Sequence, residues 1–192
     1  MKQILFNPFR TIAGAKALLI GWIIMLITAC IAMYSQCHFD GAIDVHIGRN
    51  TTAIAYFLEP LVNWSVLTVI FYFTGLLLST SHIRWIDFAG TVALARYPYL
   101  LAAFIAFAMP TLDPESLINF RDIDTSTLAS LMITSILILL VSIWMIGLLY
   151  RAFTISGNLR ERQAVWGFII ALILSELITG IIFHYLYKNL FL

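Results

Sequence analysis

Apolar residues run in five long blocks along the chain, separated by short polar stretches. The blocks cover about 13–34, 53–78, 85–109, 127–150 and 164–187. Each reaches or exceeds the roughly 20 residues that a helix rising about 1.5 Å per residue needs to cross bilayer hydrocarbon. Without water as a hydrogen-bond partner, an open chain can span that region only as helix. The pattern therefore predicts an all-α polytopic membrane protein, one domain over residues 1–192 with five transmembrane helices. No internal repeat is evident, and an odd number of spans argues against a simple two-half transporter.

Local signals mark the boundaries. Asp124-Thr125-Ser126 offers cap oxygens before the fourth block, and Asn158 with Glu161 three residues on resembles a capping box before the fifth. Gly157 suits a chain reversal between them, and Ser79-Thr80-Ser81-His82 is short enough to make blocks two and three an antiparallel hairpin.

Composition agrees. Hydrophobic residues are 61% of the chain and charged residues 11%, against roughly 25% charged in soluble domains. A net charge of +1 leaves no basic footprint for nucleic acid. Lys and Arg set the orientation. With the N-terminus in the cytoplasm, Lys2, Arg10, Lys16, Arg84, Arg151, Arg160 and Arg162 lie inside, and only Arg49, Arg121 and Lys188 outside. Most acids (Asp40, Asp44, Asp113, Glu115, Asp122, Asp124) fall in the outer loops, and the C-terminus points outward. Trp85, Tyr150 and Trp166 are then inner interface anchors, and Tyr34, Tyr185 and Tyr187 outer ones. Ile27-Thr28-Ala29-Cys30 resembles a lipoprotein cleavage box, but the residues after Cys30 stay apolar, which favours a spanning helix. Cys30 and Cys37 are spaced for neither a metal site nor a disulfide.

Three blocks carry an ionisable side chain well inside: Glu59, Arg96 and Glu176. Counted from the inner face at about 1.5 Å per residue, they lie at about 21, 16 and 18 Å, within roughly one helical turn of each other. They are expected to meet as a Glu59–Arg96–Glu176 cluster, since a guanidinium can serve two carboxylates. Arg96 shares a helical face with Ala89, Ala93 and Ala103; Glu59 with Asn63; Glu176 with Thr179, Gly180 and His184. Asn63, Thr179 and His184 are thus candidate polar lining. Pro60 and Pro98 stand beside two of the charges and predict kinks. Such a cluster is either a static lock that fixes helix register or a proton, lipid or solute site. His38 and His46, with Asp40 and Asp44, offer a loose metal site or a solvated outer loop, and the loop is favoured because no spacing there fixes a metal geometry. No cofactor motif is found.

Several features together resemble the Yip (Ypt-interacting protein) family in its compact bacterial-type form. These are Asn7-Pro8 with Arg10 ahead of the first span, the five-span layout, and Arg96-Tyr97-Pro98-Tyr99-Leu100 in the third. Ile143-Trp144 running to Arg151, the turn Ser156-Gly157-Asn158, and Ala164 opening the fifth span complete the likeness. The resemblance implies a multi-pass protein of the bacterial inner membrane and supplies no catalytic residues. Eukaryotic members are associated with Rab-type small GTPases through a long N-terminal region, whereas only about ten residues precede the first span here.

The function expected is a non-enzymatic membrane-organising or partner-binding role. Its partners would be the lipid bilayer and a membrane protein or a second copy of the chain, docking at the inner turns or the Ala-rich third helix around Ala102 and Ala106. The alternative is a small-solute or proton-coupled transporter using the charged cluster. HExxH, GxSxG and paired intramembrane aspartates are all absent from the sequence, which argues against an enzyme.

Overall fold

The computed structural model describes residues 5–48, 51–110 and 124–191. Lys2, Arg49, Asp113, Glu115, Arg121 and Asp122, counted in the charge asymmetry above, lie outside the described residues. Five helical stretches are long and apolar enough to cross a membrane. The helices are α1 (Gly14–Ser35), α2 (Ala53–Leu78), α3 (Trp85–Ala95), α4 (Pro98–Ile105), α5 (Thr125–Ser156) and α6 (Glu161–Leu186). A two-residue ladder, β1 (Cys37–His38) antiparallel to β2 (His46–Ile47), follows α1. The bundle has a turn end, where 79–84 and 157–160 reverse the chain, and a loop end, where residues 36–48 reverse it.

The third span, Trp85–Ala108, is the hub. It is 61% buried, against 22–33% for the other four, because α3 packs on α1, α2 and α5 and α4 packs on α1 and α5. Its small residues permit this, as Ala89, Ala93 and Ala103 are buried to 1% exposure or less. A Cβ on Gly90 would sit 2.2 Å from the Gly14 carbonyl oxygen, and one on Gly21 would sit 2.5 Å from Ala93 and Leu94 backbone. Ala102 and Ala106, expected to face a partner, are consumed in this packing at 0% and 3% exposure.

The third span is also broken, as its proline predicts. Pro98 has no N–H to give the Leu94 carbonyl, and its ring disfavours a continuous helix. Leu94 instead accepts from Tyr97 N (3.2 Å) and Ala93 from Arg96 N (3.4 Å), so the chain steps through two tight turns at Arg96-Tyr97 and restarts as α4. Pro60, by contrast, lies inside an uninterrupted α2.

At the turn end the core is aromatic. Phe71 and Phe153 meet edge to face at 5.2 Å, Phe71 and Phe168 at 5.7 Å, and Tyr72 packs on Trp85 at 5.1 Å. Asp124 caps α5 by accepting from Thr127 N (3.0 Å). The box expected from Asn158 and Glu161 does not form. The α6 cap position is Arg160, which has no side-chain oxygen to offer, and Asn158 donates to Ser81 Oγ of the other turn (2.8 Å). Asn158, not Gly157, takes the left-handed conformation, with φ +49°.

The stretch before α1 is packed onto the bundle. Pro8 and Phe9 are buried in a short 3-10 turn, and the Leu5 carbonyl accepts from both Tyr97 Oη and Trp144 Nε1 (3.2 Å for the latter). The leading residues therefore lie along α5 up to the level of the helix break.

Candidate functional site

The first link is made by Gln36, whose left-handed backbone (φ +52°) ends α1 and turns the chain back toward the bundle. The ladder of β1 with β2, closed by Gly48 N donating to Gln36 O (3.0 Å), makes residues 37–47 a hairpin. Its tip is sunk among the helices. Phe39 is 3% exposed and Ala42 fully buried. Irregular backbone at such depth is tolerated only where the protein itself supplies hydrogen-bond partners.

The supply is complete at three residues. Phe39 N donates to Glu59 Oε2 (2.8 Å) and Phe39 O accepts from Asn63 Nδ2 (2.5 Å). Ala42 N donates to Thr179 Oγ1 (3.2 Å) and Ala42 O accepts from Arg96 Nη1 (3.2 Å). Ile43 N donates to Glu176 Oε2 (2.9 Å) and Ile43 O accepts from Tyr99 Oη (2.9 Å). Six loop backbone groups are thus held by six side chains from α2, the third span and α6.

This changes the expected triad. The structure brings Glu59, Arg96 and Glu176 to one loop, but among the described residues no ion pair joins Arg96 to either glutamate. The physical reason is competition. Buried amides and carbonyls of a non-helical segment cost about 1–3 kcal/mol each if left unpaired, so the charges serve the loop rather than each other. Arg96 also lies over the Tyr99 ring at 5.1 Å, a cation–π contact.

Glu59 has a second set of partners that sequence reasoning missed. Its Oε1 lies 2.7 Å from His38 Nδ1 and accepts from Tyr187 Oη (2.6 Å). With Glu59 as a carboxylate, which only accepts, this contact takes an imidazole proton on Nδ1. Nε2 then faces Thr51 Oγ1 at 3.4 Å. His38 is fully buried and stacks on Tyr56 at 4.3 Å. It is therefore not part of a solvated loop, and Tyr187, 7% exposed, is not an interface anchor. The available signal was the apolar run Phe39, Ala42, Ile43, Val45 and Ile47, unusual for a loop in water.

Glu176 is half-buried, with the Asp44 carboxyl close beside it. Gly41 lies between the two. A Cβ there would sit 2.5 Å from Glu176 Oε1 and 2.8 Å from Asp44 Cβ. His184 does not join the lining. It is exposed, on a groove of α6 that runs past Gly180 to the outer edge of Glu176. His46 pairs with Asp40 at 2.5 Å, and no group of three or more metal-ligating side chains comes together among the described residues. Both cysteines are free. Burial, with the nearby charges of Glu59 and Asp40, pushes the Cys37 thiol up to about 12, so it is inert as a nucleophile.

The polar groups are not all used. Arg96 Nη2, Asn63 Oδ1 and Thr68 Oγ1 are buried without a hydrogen-bond partner. Arg96, Pro60, Thr28 and Tyr99 line a small, partly open pocket of about 10 Å³, room for about one water. Comparison with protein-family models, curated proteins and solved structures finds no match.

Proposed function

We propose that this chain is a non-enzymatic integral membrane protein that organises the membrane or binds a partner, and that its intramembrane charges are a static lock on the loop. One observation carries the reading: Glu59, Asn63, Arg96, Tyr99, Glu176 and Thr179 each make a hydrogen bond to loop backbone. The loop so held gives the loop end a fixed face built from hairpin and helix ends. The surface offered to a second helix is α5, whose Met132, Ile133, Ile136, Leu140 and Ile143 are exposed, since the third span is already enclosed.

The Lys/Arg distribution supports a cytoplasmic turn end, and with it a cytoplasmic N-terminus and an outward C-terminus. The resemblance to the Yip family supports placing it in a bacterial inner membrane. The deciding experiment is purification from native membranes in mild detergent with crosslinking and mass spectrometry. A stoichiometric membrane partner, or a second copy crosslinked through α5, is the expected result. A chain recovered alone, with pH-dependent flux in liposomes that Glu176→Gln abolishes, would replace this reading with transport.

That second reading has its own support. A broken span, an adjacent proline and a buried arginine with one nitrogen unpaired are the parts of which midplane solute sites are made.

A further inference from the structure

The turn end carries a charged cleft that the lock does not use. Between the end of α5 and the start of α6, Tyr150, Arg160, Glu161, Arg162, Gln163 and Trp166 line an open cleft of about 940 Å³. The Arg160 and Arg162 side chains are exposed and make no hydrogen bond or ion pair among the described residues. Elsewhere at this end, Arg84 is answered by Asp87 through two bonds of 2.8 and 2.9 Å. The α6 cap position is an arginine with no side-chain cap, so the first-turn N–H groups add to the positive field.

We infer that this cleft binds the phosphodiester headgroup of an anionic phospholipid. Two arginines against the single Glu161 leave one positive charge, which one phosphodiester balances. The source is a lipid rather than free phosphate because the ground just beyond the arginines is apolar and open. Val165, Trp166, Ile169 and Ile170 are all exposed on the membrane-facing length of α6, where acyl chains would lie. Trp166 and Tyr150 are aromatics of the kind that settle at headgroup level. The cleft is also preformed. Leu159 N donates to Thr154 O (2.9 Å), Leu159 is buried, and Asn158 ties the turn to Ser81. The inference does not rest on the reading of the loop end, and it can hold or fail independently of a protein partner.

The test uses the full chain in nanodiscs of phosphatidylglycerol mixed with phosphatidylcholine, with lipid retention read by native mass spectrometry. The wild type is expected to keep phosphatidylglycerol preferentially. Arg160→Gln with Arg162→Gln should cut that preference by about twenty-five-fold, at about fivefold per arginine. Arg162→Gln alone should cut it about fivefold, which serves if the double variant folds poorly. Replacing both arginines by Lys should keep most of the preference, Glu161→Gln should strengthen it, and inorganic phosphate at millimolar concentration should leave it in place. Equal retention of both lipids, retention unchanged in the folded arginine variants, or full displacement by inorganic phosphate would overturn the assignment.

Discussion

At the turn end, helices meet without intermediaries. Gly14 and Gly90 bring α1 and α3 backbone to backbone, and Phe71, Phe88, Phe153 and Phe168 fill the space behind them. At the loop end the helices hold a hairpin between them, and six side chains reach it by hydrogen bonds. The first end depends on shape and the second on pairing. Bilayer lipid is as apolar as the aromatic core, so apolar contact gains only what close packing adds. An unpaired amide in hydrocarbon has no such alternative. Damage to the two ends should therefore differ in kind. Loss of shape should separate helices, whereas loss of a hydrogen-bond partner should release the loop and leave the turn end assembled.

The largest effect is expected at Glu59. Glu59→Leu orphans the Phe39 N–H and removes the carboxylate on which His38 Nδ1 and the Tyr187 hydroxyl converge. A loss of about 3–5 kcal/mol follows from removing the charged partner of a buried network. Hydrogen exchange should show residues 37–47 exposed while α1, α3 and α5 near the turn end stay protected. Uniform loss of protection along all helices would break the comparison, because it would mean that the loop and the turn end unfold as one unit.

Next comes the opposite lesion. Gly90→Ala places a methyl against the Gly14 carbonyl, a backbone atom that cannot swing aside. Overpacking of this sort costs about 1–3 kcal/mol. Thermal melting in detergent should fall, with α1 and the third span losing protection at the turn end first. Gly41→Ala is the milder counterpart at the loop end. The nearest atom there is the tip of the Glu176 side chain, which can move, although Asp44 Cβ cannot move as freely. A cost of about 1–2 kcal/mol is expected, confined to the loop. A melting temperature lower in Gly41→Ala than in Gly90→Ala would reverse the ranking of the two ends.

The spans were readable because about 20 apolar residues in a row seldom occur outside a membrane-crossing helix. Glu59, Arg96 and Glu176 stood out because charges are rare there, and a rise of about 1.5 Å per residue placed them near one level. Asn63 and Thr179 followed from helical faces. What the three charges bind was not readable, since the ligand is backbone, which is the same in every sequence. His38 and Tyr187 were misplaced for a related reason. His38 lies beyond the apolar blocks and Tyr187 at the last position of the fifth, both where water is normally met, and only the tertiary fold carries them inward. His184 shows the limit of face arithmetic. It is eight residues from Glu176, yet Thr179 turns inward and His184 outward, because Glu176 itself stands at the boundary between the two surfaces.

The smallest effect is the one that most sharply isolates the loop. Cys37 belongs to β1, and folding raises its thiol from an ordinary value of 9.0 to about 12. A raised acid group favours folding fully below its unfolded value, and that contribution is lost as pH climbs from about 9 toward 12. Alkali should therefore loosen the loop end selectively. At pH 8 only about one Cys37 in ten thousand is thiolate while the loop is seated, so maleimide should label it only through opening of the hairpin. Glu59→Leu should raise that labelling rate by a large factor, Gly41→Ala by a smaller one, and Gly90→Ala hardly at all. Replacing Cys30 by Ala leaves Cys37 as the single reporter. Equal acceleration in all three variants would show that the loop opens only when the whole bundle does.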